Sequence, residues 1–264
     1  MNFKEKELVI FDLDGTLAES KAKLDDEMAE LIMKLLESKK VAVISGGMFS
    51  QFEKQFLNNL PANIDQLKNL FLLPTTGTRL YAWKESGIKK DEAALSSGWH
   101  EGYAENILPE DRKNIIENIE ETWIETGYEL PEKVYGERIE DRESQITFSA
   151  LGQEAPLELK KAWDPTKEKR QTIVNILKDK IPNFDVSMGG STSVDITIKG
   201  VNKAYGVNKL RDFLHIPLEQ MVFVGDEVIP DGNDYSVKLD GVDCVQVSGK
   251  EETKKLIEEW LGSN

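Results

Sequence analysis

Leu8-Val9-Ile10-Phe11-Asp12-Leu13-Asp14-Gly15-Thr16-Leu17 is the stretch whose reading decides the fold. The short apolar run that opens it is too brief for a buried helix and suits a strand covered on both faces, as in parallel sheets. The strand runs straight into two carboxylates, a glycine and a hydroxyl. Asp12 and Asp14, two positions apart, point to one side of an extended chain. Gly15 lets the backbone turn sharply after them. Two acids crowded at a strand end raise each other's cost of ionisation. A divalent cation is the simplest compensation, so the stretch predicts a metal-dependent site at the end of a central strand.

Working outward, Leu24, Met28, Leu31, Ile32, Leu35 and Leu36 recur at helical spacing. Val41–Ile44 reads as a second buried strand ending in Ser45-Gly46-Gly47, and Leu70–Leu73 as a third, closed by Pro74-Thr75-Thr76-Gly77. Strands alternating with helices predict right-handed crossovers and a parallel sheet with helices on both faces. Its loops would gather at one edge, where such sheets bind ligands. From about Trp83 the texture changes. A polar stretch, Glu85–Gly98, leads to an amphipathic helix over Pro109–Thr126, and Gln145–Ala150 and Ser193–Ile198 alternate like half-exposed antiparallel strands. Ser193, Asp195 and Thr197 share one face of the latter. Buried-strand texture returns with Met221–Gly225, followed by Asp226 and an oxygen-rich loop that includes Asp231, Asn233 and Asp234. The reading is a discontinuous α/β core, 1–84 and 199–264, with an α+β insertion over 85–198.

Bulk composition excludes several function classes. The net charge of −15 argues against nucleic acid and against an anionic membrane surface, both of which need a basic footprint. An anionic substrate then depends on locally placed cations. The single cysteine, Cys244, excludes an internal disulfide and reads as a small core residue. No apolar run approaches a membrane span, and the opening Met-Asn-Phe-Lys-Glu-Lys-Glu does not read as a signal peptide, so the cytoplasm is the expected compartment. Neither His100 nor His215 has a partner pattern, and there is no G-x-S-x-G, P-loop or G-x-G-x-x-G.

Asp12-x-Asp14-Gly15-Thr16, Ser45 after the second strand, Lys203 opening a late helix, and Gly225-Asp226 with Asn233-Asp234 together resemble the four motifs of the haloacid dehalogenase superfamily. The resemblance spans the whole chain. The place and size of the insertion, between the second and third motifs, resemble the C2-type cap of subfamily IIB, which includes sugar phosphatases and eukaryotic-type phosphomannomutases. It implies a Rossmann-like core, Mg²⁺ held by the Asp12 carboxylate, the Asp14 carbonyl and Asp226, and a small phosphorylated metabolite as substrate. By the same resemblance Asp12 attacks phosphorus, Asp14 is acid and base, and Ser45, Gly46 and Lys203 hold the phosphoryl oxygens. Asn233 and Asp234 orient the metal's surroundings or Lys203, while Asp231 is a solvated loop acid.

Substrate recognition is expected in the insertion, from Arg138, Arg142, Ser193 and Asp195. Gly189-Gly190-Ser191-Thr192-Ser193-Val194-Asp195 resembles the sugar-gripping element of the mutases. This chain carries Gln153 where the mutases have arginine, and a glutamine does not reproduce a bidentate guanidinium fork. Motif two departs as well, with Met48 where the mutases place a serine. The reading is therefore a Mg²⁺-dependent phosphatase, with a phosphomannomutase-type mutase as the alternative and a non-catalytic phosphometabolite-binding protein as a third. The chain is expected to be a monomer or a homodimer paired through the insertion, by way of an apolar patch around Trp123 or Trp163.

Overall fold

The computed structural model describes residues 2–84, 98–230 and 232–262. Residues 85–97, expected to open the insertion, and Asp231, expected as a solvated acid, lie outside the described residues. Two compact units emerge: Met1–Ala104 with Asn202–Asn264, and Glu105–Val201.

In the first unit, β1 (Leu8–Asp12), α1 (Asp26–Leu36), β2 (Lys40–Ile44), α2 (Phe49–Gln55), α3 (Ile64–Leu67), β3 (Leu70–Leu73), β4 (Arg79–Trp83) and β5 (Trp99–Ala104) follow in order. The second unit contains α4 (Pro109–Thr126), β6 (Ile139–Asp141), β7 (Ile146–Ser149), α5 (Leu157–Trp163), α6 (Glu168–Lys180), β8 (Phe184–Gly189) and β9 (Ser193–Ile198). The chain then returns to the first unit with α7 (Lys203–Leu214), β10 (Met221–Gly225), α8 (Tyr235–Leu239), β11 (Asp243–Gln246) and α9 (Lys250–Gly262).

The first unit's sheet has the order β11-β10-β1-β2-β3-β4-β5. It is parallel from β11 through β3, and β4 and β5 join antiparallel at the edge. Its central strands are apolar throughout because both faces are covered. Val9, Phe11, Val41, Val43, Val222 and Val224 pack with α1 and α9 on one side. Leu8, Ile10, Ala42, Ile44, Met221 and Phe223 pack with α7 and α8 on the other. Each such aliphatic or aromatic side chain contributes about 1.5–3 kcal/mol by leaving water. α1 begins where Asp25 accepts the Met28 N–H at 2.9 Å, and it buries the stripe predicted from its spacing. Cys244 is half-buried in the second core, and burial pushes its thiol up to about 11, as befits a packing residue.

The unit boundary corrects the expected one. β5 pairs with β4 over Arg79–Trp83, so the chain leaves the first unit after Ala104 rather than after residue 84. It returns at Asn202 rather than at residue 199. The second unit has its own antiparallel sheet, β6-β7-β9-β8, with α4 and α6 packed on one face through Ile115, Ile119, Trp123, Ile173 and Leu177. Of the two rings around which an apolar surface patch was expected, Trp123 is 7% exposed and stacks at 6.4 Å on Trp163, which is half-buried.

Candidate active site

Three neighbouring parallel strands end together. β1 stops at Asp12, β2 at Ile44 just before Ser45, and β10 at Gly225 just before Asp226. Gly15, at φ +91°, turns the chain away, and a Cβ on it would stand 2.5 Å from Asp226 Oδ2. The glycine thus lets the Asp226 carboxylate rest against the turn that follows Asp14.

Lys203 reaches this edge from the opposite direction. The Asn202 side chain accepts the Tyr205 N–H at 3.1 Å and so fixes Lys203 as the first residue of α7. The helix can approach because Gly206 meets the turn after β3 without a side chain; a Cβ there would lie 2.9 Å from Leu73 Cδ2 and 3.1 Å from Gly77 Cα. The Lys203 ammonium then donates to Asp12 Oδ1 at 2.6 Å, Asp234 Oδ1 at 2.5 Å and Asn233 Oδ1 at 3.1 Å. Asp234, fully buried, also accepts the Glu227 N–H through Oδ2 at 3.1 Å. Asn233 and Asp234 thus both accept from Lys203.

Charge in this cluster is unbalanced. Asp12, Asp226 and Asp234 face a single ammonium. Burial pushes Asp12 well above the ordinary carboxylate range; Lys203 pulls it back, while Asp234 and Asp226 push it further. Burial and the Asp234 charge raise Asp226 to about 6. Burial works against charge on Lys203 as well, but Asp12 and Asp234 outweigh it and hold the ammonium protonated. Among the described residues no three His, Cys, Asp or Glu side chains form a ready cage for a metal. The donors at hand are two under-compensated carboxylates, Asp12 and Asp226, beside main-chain carbonyls. That sparse oxygen set suits Mg²⁺, which keeps several of its own waters.

Asp14 has a separate set of partners. Its Oδ1 accepts the Lys21 N–H at 2.6 Å and the Gln55 amide at 3.2 Å, and Ser45 Oγ stands 3.4 Å from its Oδ2. Ser45 also accepts the Gly47 N–H at 3.3 Å, so Gly46 lies in a loop closed over that hydroxyl. Behind the loop, Thr76 donates its N–H to the Ser45 carbonyl and Thr75 to that of Gly47, each at 2.9 Å. Thr75, Thr76 and Gly77 all lie in the left-handed region, at φ +51°, +61° and +85°. Two threonines held there store strain against the site. Neither this turn nor Gln55 is visible as functional in the sequence, since threonine disfavours positive φ and a lone glutamine at a helix end carries no signal.

In the second unit the four expected recognition residues separate. Asp195 is buried on the polar face of the sheet, accepting from Thr147 Oγ1 at 2.7 Å and Gln145 Nε2 at 3.0 Å. Ser193 lies two positions along the same strand, paired with Ser149 and Gly189. Arg142 is 9% exposed and ion-paired to Glu140, whose strand partner is Thr147. Arg138 goes elsewhere. Its guanidinium lies 4.2 Å from the centre of the Trp123 ring and 5.2 Å from that of Phe148, and its Nε donates to the Ala150 carbonyl at 3.2 Å. Both rings belong to the helix-covered face, so Arg138 is not brought together with Asp195.

The fold and this edge define an α/β protein with an aspartate-rich site at the carboxyl ends of a parallel sheet. The chain belongs to the haloacid dehalogenase-like hydrolases, whose family model matches residues 9–236. It is 25% identical to a phosphomannomutase of Encephalitozoon cuniculi over 263 residues, spanning 97% of this chain and 94% of that one. A phosphomannomutase of Spinacia oleracea is 26% identical over 235 residues, 87% of this chain and 85% of that one. Among solved structures, an N-terminally truncated IMP-nucleotidase of Plasmodium falciparum superposes with a TM-score of 0.70 at 17% identity, covering 99% of this chain and 72% of that one. The C-terminal domain of a trehalose-6-phosphate phosphatase of C. albicans gives 0.59 at 17% identity, covering 99% and 93%. These two likenesses speak for the fold.

Proposed function

We propose that this chain is a Mg²⁺-dependent phosphatase that releases inorganic phosphate from a small phosphorylated metabolite, a sugar phosphate, by way of a phosphoaspartate at Asp12. The observation that carries this reading is the buried Lys203, joined at once to Asp12, Asn233 and Asp234 beside Asp226. A carboxylate held against an ammonium at the carboxyl edge of the sheet is suited to attack an anionic phosphate whose charge the same ammonium offsets.

An oxygen of Asp12 forms the new bond to phosphorus as the ester oxygen leaves, taking a proton from Asp14. Water then gives its proton to Asp14 and attacks the phosphoaspartate, which frees Asp12 and phosphate. Each proton transfer through a placed carboxyl is worth roughly 10²–10⁴-fold. Ser45 and the Gly46 main chain join Lys203 in holding the phosphoryl oxygens. Asp12, Asp226 and the Asp14 carbonyl would hold Mg²⁺, which supplies neutralising charge for the anionic substrate when bound.

Sugar selection is assigned to the second unit, with Ser193 and Asp195 the best-placed hydroxyl partners. Arg142 would have to exchange Glu140 for a ligand. The chain acts as a monomer or as a homodimer paired through this unit, where Ile124 and Leu130 are exposed. No helix of the described residues is long and apolar enough to cross a membrane, and the cytoplasm is the place of action in this reading.

A second reading, a phosphomannomutase-type mutase, is favoured by the near full-length match to enzymes of that name. A mutase must hold phosphate at two positions in turn. Arg138 is engaged with aromatic rings, Arg142 with Glu140, and Gln153 stands where the resemblance to the mutases implies an arginine. A panel of sugar phosphates assayed with and without Mg²⁺ separates the readings. Phosphate release that Asp12→Asn abolishes supports the phosphatase. Interconversion of hexose phosphates that needs a bisphosphate activator, with no phosphate release, overturns it.

A further inference from the structure

Gln55 is the last residue of α2 and is 3% exposed. Its amide NH₂ bridges Asp14 Oδ1, at 3.2 Å, and the Ala22 carbonyl, at 3.0 Å. Both neighbours are acceptors, so the NH₂ end must face them and Oε1 must face away. Oε1 is then fully buried with no hydrogen-bond partner among the described residues. An apolar side chain of equal length would avoid that penalty, since an unsatisfied buried oxygen is destabilising and rare enough to call for an explanation. Packing alone therefore gives no reason for glutamine here. The main chain already secures the neighbouring loop, because the Gln55 carbonyl accepts the Leu24 N–H at 2.8 Å.

We infer that Gln55 is a positioning residue for the proton-transferring carboxyl of Asp14, an inference that rests on the phosphatase reading above. Lys21, itself at φ +58°, and Gln55 both donate to Oδ1. The two donors occupy the same oxygen from separate elements, the loop after Ala18 and the end of α2. They fix the rotation of the carboxyl about its Cβ–Cγ bond and leave Oδ2, on the Ser45 side, as the oxygen that hands over and receives the proton. No new bond is made by Gln55; it acts on the geometry of the transfer alone.

This assignment predicts a dependence on the leaving group. An alkoxide leaving from a sugar phosphate needs the proton, whereas p-nitrophenolate leaves without one. Single-turnover release of the leaving group isolates this step from the later attack of water. Gln55→Met should slow release from the best sugar phosphate on the order of 10-fold, a fraction of the 10²–10⁴ that the proton transfer is worth. Release from p-nitrophenyl phosphate should change by less than about 3-fold, because no proton transfer assists it. Gln55→Glu, which keeps the length but sets an acceptor against Oδ1, should show the same selectivity with a larger loss, and it serves if the methionine variant does not fold. Equal slowing with both substrates, or slowing with neither, overturns the inference while leaving the phosphatase reading intact if Asp12→Asn remains inactive on both. A wild-type protein that releases phosphate from neither substrate overturns both readings together.

Discussion

Replacing Lys203 with methionine removes the one ammonium from the buried acidic cluster while nearly keeping its volume. Lys203 is 1% exposed, and its loss strands Asp12, 5% exposed, and Asp234, 0% exposed, beside Asp226. Breaking a buried pair from one side costs about 3–5 kcal/mol because the partner's charge is left uncompensated. At roughly 2–4 °C per kcal/mol for a chain of this size class, melting should fall by about 6–20 °C near neutral pH. The loss should depend on pH in a definite direction. Carboxylates pushed up in the folded state bind protons more tightly there than in the unfolded chain, so lowering the pH through their raised values stabilises the variant. Thermal melts followed by circular dichroism in EDTA, at about pH 7.5 and about pH 5, should show a smaller deficit at the lower pH. Adding Asp12→Asn to Lys203→Met should recover part of it by removing one of the stranded charges. A deficit under about 3 °C near neutrality, or one that does not shrink on acidification, would refute the charge imbalance on which the site is argued.

Two further perturbations test other steps. Gly206→Ala sets helix propensity, which favours alanine by roughly 0.5–1 kcal/mol, against a Cβ 2.9 Å from Leu73 and 3.1 Å from Gly77. The close approach should win, with urea denaturation showing about 1–3 kcal/mol of destabilisation and a drop in turnover as Lys203 is displaced; a gain in stability would sink the account of how α7 reaches the site. Asp25 caps α1 and binds Lys250 and Lys254 of α9, contacts that together hold its carboxyl down at about 2 although partial burial works the other way. That contribution is present above the ordinary carboxylate value and is lost as the pH falls through about 2, so Asp25→Asn should destabilise by about 1 kcal/mol near pH 7, after discounting for solvent screening, and by roughly a third of that near pH 2.5. Equal losses at the two pH values would assign the effect to capping alone.

The sheet edge was readable because its parts are local in the chain. Continuous apolar runs ending in Asp12, Ser45 and Asp226 require a parallel sheet covered on both faces, and a parallel sheet aligns its carboxyl ends. β4 and β5 were missed for the complementary reason. They pair antiparallel at one side of the sheet and mix half-buried with buried positions, with an irregularity between Leu80 and Tyr81. In sequence they resemble the alternating strands of the insertion, so strand texture alone places the boundary at residue 84 and not after Ala104. β8, Phe184–Gly189, is an edge strand whose apolar residues, Phe184, Val186 and Met188, are interrupted by Asp185 and Ser187.

Side-chain choices made across the fold were the least legible part. Arg138 and Arg142 are near neighbours in the chain and look alike there, yet one lies over the Trp123 ring and the other pairs with Glu140. A ring face attracts a guanidinium only once helix and strand are packed together, and no spacing rule encodes that meeting. The same holds for Gln55, whose amide meets Asp14 across 41 positions of sequence. Motif residues can be found one at a time because each must supply its own chemistry. Residues that aim them are interchangeable in type and defined by distance alone, so they emerge only when the folded chain shows which acceptor a buried donor has been left to serve.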